Sequence, residues 1–118
     1  MARKSTKSSL TRKLDIECSR ITRSIGHCVW CGNADYSKLQ CAHIYSRSYK
    51  SVRWYLKNLL CLCASCHFYA HKNPLAFSDF VKNYLGEYEC EQLKNRAFPT
   101  SHHKIYELEN LLNTLRKI

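Results

Sequence analysis

The chain has 118 residues, 19 of them Lys or Arg against 9 Asp or Glu, for a formal net charge of +10. That length fits one domain with a modest core, and eight Tyr, four Phe and two Trp against three Gly and two Pro argue against wholesale disorder. No apolar run is long enough for a membrane span, and Met1-Ala2-Arg3-Lys4-Ser5 lacks the apolar segment of a secretory signal, so a cytoplasmic protein without membrane contact is expected.

In chain order, residues 1–8 read as a flexible basic arm and 9–118 as a single domain, with a core at 28–73 and a helical part at 75–118. From Ser9, the apolar residues Leu10, Leu14, Cys18, Ile21 and Ile25 recur at helical spacing, and Gly26 stands where a C-terminal cap belongs. Arg12, Arg20 and Arg23 lie off that stripe and face either a phosphate or water. A tight turn is expected at Cys28–Asn33, and short strands at Leu39–Ile44 and Asn58–Leu62. A helix from Ala64 ends at about Lys72, because the residue before Pro74 avoids helical geometry. Phe77, Phe80, Val81, Tyr84 and Leu85 form the next stripe, stopped at Gly86. Another helix runs from about Tyr88 to Ala97. The last starts at an expected Ser101 N-cap and carries Ile105, Leu108, Leu111, Leu112, Leu115 and Ile118 on one side. This last helix packs within the chain or serves a homodimer.

Eight cysteines in a cytosolic chain point to metal rather than disulfides. Two pairs, Cys28-x-x-Cys31 and Cys63-x-x-Cys66, supply four thiolates from two chain bends, the donor set of a structural Zn²⁺. The interval between the pairs exceeds that of a zinc ribbon, so an insert must fold between them. In a domain with so small a core, metal binding also supplies folding free energy. Cys18, Cys41, Cys61 and Cys90 read as small buried apolar residues.

Charge is distributed unevenly. No Asp or Glu falls between Tyr36 and Ser78, whereas Lys38, Arg47, Lys50, Arg53, Lys57 and Lys72 do. A polyanion is the expected partner of such a surface. Within the same stretch, His67 and His71 stand at i and i+4 on one helix face, a spacing that chelates a divalent cation, and His43 ends the strand between the cysteine pairs. His27, His102 and His103 read as ordinary surface or packed residues.

His43, Asn58-Leu59 and Cys63-x-x-Cys66-His67 together resemble the His-Asn-His (HNH) endonuclease motif, in the version with a four-cysteine zinc site. The text around them, Leu39 to Arg47 and Arg53-Trp54, is similar to phage recombination nucleases of the NinG (Rap) type. The resemblance covers about residues 28–86. It implies an α+β fold with a ββα-metal core, flanked by an N-terminal helix and C-terminal helices. It also implies a metal-dependent DNA endonuclease of phage recombination or processing.

In that reading His43 is the general base, Asn58 braces the loop that orients it, and His67 with His71 holds a catalytic cation, Mg²⁺, Mn²⁺ or Ni²⁺. Arg47, Lys50, Arg53 and Lys57 contact DNA phosphates, and Trp54 or Tyr55 packs against a sugar or an unpaired base. An imidazole near its ordinary pKa of about 6.5 is a competent base at neutral pH. The chain departs from many members of the family by having Ala42 where an Asp ligand precedes the first His. Without a carboxylate, Mn²⁺ or Ni²⁺ is expected to serve at least as well as Mg²⁺. The alternative is a non-catalytic zinc module that binds nucleic acid through the same basic surface.

Overall fold

The computed structural model describes residues 6–99 and 102–118. Its described residues form an α+β fold of five α-helices and one two-stranded antiparallel sheet. Helix α1 spans Lys7–Arg23, two residues earlier than its apolar stripe suggests, because the Thr6 hydroxyl accepts from the Ser9 N–H and caps it there. Lys7 and Ser8, expected in the basic arm, are thus helical, and residues 1–5 of that arm lie outside the described residues. Ile25, placed on the stripe by spacing, falls beyond the helix end and is exposed.

Strand β1, Leu39–His43, pairs with β2, Leu59–Cys63, in a register that sets Cys41 opposite Cys61 and His43 opposite Leu59. A further bond from Ile44 N–H to the Asn58 carbonyl, 2.8 Å, extends the ladder to the root of the intervening loop. Helix α2, Ala64–Lys72, follows β2 without a break and packs on both strands. Asn73-Pro74 ends it as expected. Pro74 then opens α3, Pro74–Leu85, where its fixed φ and missing N–H suit a first helical position. Gly86, at φ 85°, turns the chain into α4, Glu87–Ala97.

The last helix, α5, spans Ile105–Arg116 and begins later than the expected Ser101, which lies outside the described residues. Its start is fixed by the Glu107 carboxylate, which accepts from the Lys104 N–H at 3.0 Å. Leu108, Leu112 and Leu115 of α5 pack on Leu10, Leu14 and Cys18 of α1, with Trp54 and Leu59 in the same cluster. Leu108, Leu112 and Leu115 are therefore spent within the chain, while Ile105 and Ile118 of the same expected stripe are exposed. At about 1.5–3 kcal/mol for each fully buried Leu, this contact is a principal stabiliser of a domain this small. A second cluster joins the sheet to α2 and α3 through Leu60, Leu62, Ala70 and Val81. Among the described residues no helix is long and apolar enough to cross a membrane.

Candidate metal centre and active site

The first cysteine pair lies in the turn that ends at Gly32, whose φ of 82° lets its N–H reach the Cys28 carbonyl at 2.8 Å. The second pair straddles the start of α2, where the Cys63 sulfur accepts from the Cys66 N–H at 3.4 Å. The Cys31 N–H points at the Cys28 sulfur in the same way, at 3.5 Å. The donor to Cys28 favours its thiolate, whereas burial and the neighbouring sulfurs push the Cys66 thiol up. Burial raises the Cys28 thiol, but the main-chain N–H groups of Cys31, Cys63 and Trp30 outweigh it and bring the pKa down to about 7.

The Val29 N–H bonds the Cys61 carbonyl at 2.9 Å and docks the first turn against β2. All four sulfurs thus lie within 4.8 Å of one another. Four sulfurs at that separation suit a tetrahedral metal such as zinc. Cys18, Cys41, Cys61 and Cys90 stand outside this group. Cys18 and Cys61 are buried, while Cys41 and Cys90 are partly so.

A cavity of about 670 Å³ lies between the end of β1 and α2, and His43, His67 and His71 all line it, with Arg47 and Ala42. Successive turns of α2 bring the rings of His67 and His71 to 5.0 Å between centroids. The His67 Nδ1 is 2.7 Å from the Gln40 amide oxygen. Burial lowers the His67 pKa, and the neighbouring His71 and His43 lower it further. His43 is half-buried, and its pKa is lowered by burial and by Arg47, against a hydrogen bond to the Arg53 main-chain carbonyl that raises it. Both imidazoles are therefore neutral at neutral pH, free to take a proton or to ligate a cation.

Asn58 is fully buried at the base of the loop that leaves His43. Its Oδ1 accepts from the Tyr45 N–H at 2.8 Å, and its Nδ2 donates to the carbonyls of Tyr45 and Val52 at 3.0 and 3.1 Å. One side chain thus ties both ends of the loop together.

The basic residues divide. Arg47 and Lys50 are exposed, Arg47 at the mouth of the histidine cavity. Arg53, expected on a phosphate, instead donates through Nε and Nη2 to Asp15 at 3.2 and 2.7 Å. Lys57, expected likewise on DNA, pairs with Glu89 at 2.8 Å. Trp54 is 7 % exposed, packs between α1 and α5, and donates its Nε1–H to Asp15 at 2.8 Å, so the sugar or base contact expected of it is corrected to a core role. Tyr55 is covered by Arg96, whose guanidinium lies 4.3 Å from the ring centroid. His103 sits edge-on to Trp54 at 5.6 Å.

Two residues that matter to this geometry were not singled out as site residues by sequence reasoning. Asp15 of α1 gathers three donors from residues 53 and 54, and burial, which raises its pKa, is outweighed by the Arg53 and Trp54 hydrogen bonds that lower it. Gln40 lies on the face of β1 that carries Ala42, toward α2, and period-2 alternation was the available signal for that. No protein-family model matches this chain, and no curated protein or solved structure is significantly similar to it.

Proposed function

We propose that the protein is a metal-dependent DNA endonuclease of the HNH type, with the ββα element β1–β2–α2 as its core and the four-cysteine group as a structural zinc site. The observation that carries this reading is the single cavity shared by His43, His67 and His71, with Arg47 at its mouth and, among the described residues, no carboxylate in its lining. Three imidazoles and a guanidinium suit a phosphodiester better than they suit a cationic or apolar substrate.

In this reading His67 and His71 hold a divalent cation. Such a cation, when bound, stabilises the charge that develops on the scissile phosphate and the leaving 3′-oxygen. His43 takes the proton of the attacking water, a task for which its lowered pKa keeps it unprotonated at neutral pH. Asn58 holds the loop that carries Arg47, and Arg47 and Lys50 meet the DNA backbone. The role in phage DNA recombination or processing rests on the resemblance to NinG-type nucleases.

Ala42 favours a second reading. It lies buried in the wall of the cavity, at the position where many members of the family place Asp, and a site lacking that ligand fits a nucleic-acid-binding module that does not cut.

The test is incubation of supercoiled plasmid with zinc-loaded protein and Mg²⁺, Mn²⁺ or Ni²⁺, beside His43→Ala. Nicking that depends on the added metal and disappears in the variant supports the nuclease. Retarded but intact DNA in every metal, with the same affinity in the variant, overturns it in favour of the binding module.

A further inference from the structure

A histidine can ligate a cation only through a nitrogen that carries no proton, and the partner of the other nitrogen decides which one that is. In water a neutral imidazole favours the proton on Nε2. At His67 the fold supplies a partner for Nδ1 instead: the Gln40 amide oxygen, 2.7 Å away. Gln40 and Ala42, two residues apart, share one face of β1, and α2 packs against that strand. Gln40 therefore meets His67 from β1, while His71 approaches from the next turn of α2.

Resting on the nuclease reading above, we propose that Gln40 is a positioning residue for His67. Its amide oxygen accepts from Nδ1–H and fixes the tautomer in which Nε2 is the nitrogen left to bind a divalent cation.

The chemistry of the partner matters as much as its place. Ligating histidines usually give their second N–H to a carboxylate, a main-chain carbonyl or water. Glutamine offers the same acceptor without a charge. It thus adds no negative charge beside the cavity of His43, His67, His71 and Arg47, whose lining carries no carboxylate among the described residues, and so leaves its attraction for a phosphodiester intact. Were the amide turned the other way, with its NH₂ toward Nδ1, Nε2 would carry the proton and His67 could not ligate.

The experiment uses the full chain, zinc-loaded, as wild type, Gln40→Ala and Gln40→Glu. Two-bond ¹H–¹⁵N correlations report which nitrogen of His67 is protonated, and calorimetric titration with Ni²⁺ reports affinity. The wild type is expected to show Nδ1–H. Gln40→Ala is expected to shift His67 toward Nε2–H and to weaken Ni²⁺ binding about tenfold, with zinc content and thermal melting unchanged. Gln40→Glu, which can accept the same hydrogen, is expected to keep Nδ1–H and to bind Ni²⁺ at least as tightly as the wild type.

Nε2–H in the wild type overturns the inference, as does a Gln40→Ala variant with unaltered tautomer and unaltered affinity. Ni²⁺ bound normally by Gln40→Ala while plasmid is still cut would sink the role of Gln40 alone. Wild-type protein that binds no Ni²⁺ and cuts no plasmid in any metal would sink the nuclease reading and this inference together.

Discussion

Replacing Asn58 by Ala tests whether the loop after His43 is held by one buried amide. The side chain is fully buried and makes three hydrogen bonds, from the Tyr45 N–H and to the carbonyls of Tyr45 and Val52. Truncation leaves those three main-chain groups without their partner in a site closed to water. At about 1–3 kcal/mol for each orphaned group, less for carbonyls than for the N–H, the loss comes to about 3–5 kcal/mol, cavity included. A domain of this size has about 5–15 kcal/mol in total, so the variant would be partly unfolded or close to it.

Asn58→Asp separates hydrogen bonding from volume. It keeps the shape but turns the donor that faces two carbonyls into an acceptor, and it is expected to lose at least as much at neutral pH. Urea denaturation of zinc-loaded protein, followed by circular dichroism, measures both. A loss below about 1 kcal/mol in Asn58→Ala would refute the reasoning, because it would mean that the loop is held by something other than this side chain.

Cys31→Ser and Cys63→Ser are expected to abolish zinc binding and unfold the domain, since structural zinc supplies about 10–16 kcal/mol of apparent binding free energy, comparable to the whole stability. His67→Ala is expected to stay folded and zinc-loaded but inactive; elemental analysis and circular dichroism distinguish the two classes, and equal unfolding would show that one metal serves both sites. Ala42→Asp places a carboxylate in the cavity wall beside His67 and His71, and plasmid nicking is expected to shift from Mn²⁺ or Ni²⁺ toward Mg²⁺, an ion that prefers oxygen ligands. The His43 Hε1 resonance should titrate with a midpoint below 6.5, since burial and Arg47 disfavour the charged ring. Between that midpoint and about 6.5 the unfolded chain binds more protons than the folded one, so the contribution of His43 to stability is lost as pH falls through this window. A midpoint at or above 6.5 would show that the Arg53 carbonyl and the Asp15 carboxylate, which favour the charged ring, dominate its environment.

Local signals carried far. Helix α2 has the bounds expected of it, Ala64–Lys72, because its start is set by Cys63 and its end by Asn73-Pro74, all within a few residues. The four sulfurs meet because each pair is already a turn, and only one long-range docking, of Val29 on Cys61, is needed to join them. What the sequence hid is long-range polar pairing. The stretch around Arg53 and Trp54 contains no acid and reads as a phosphate and base contact. Its carboxylate comes from Asp15, 38 residues before Arg53, on a helix whose stripe marks only its apolar face. Trp54 looks like an exposed aromatic among basic residues until α1 and α5 close over it. Lys57 meets Glu89 for the same reason. Composition counts charges along the chain, whereas the number left for a ligand depends on which acids the fold brings back.

That selection bears on the site itself. Once Asp15 has neutralised Arg53 and Glu89 has paired with Lys57, the exposed positive charge of the loop falls to Arg47 and Lys50, and Arg47 is the one at the histidine cavity. The hydrogen bonds to Asp15 also fix residues 53 and 54, and the Arg53 carbonyl on that segment is the one against His43. Helix α1, which lies outside the part of the chain that resembles the nuclease motif, therefore acts on the base candidate through Asp15. The same contact that removes a cation from the surface holds the main-chain acceptor of His43 in place. In the proposed nuclease, one exposed guanidinium beside three imidazoles would give a phosphate a defined position, which an evenly charged surface would not.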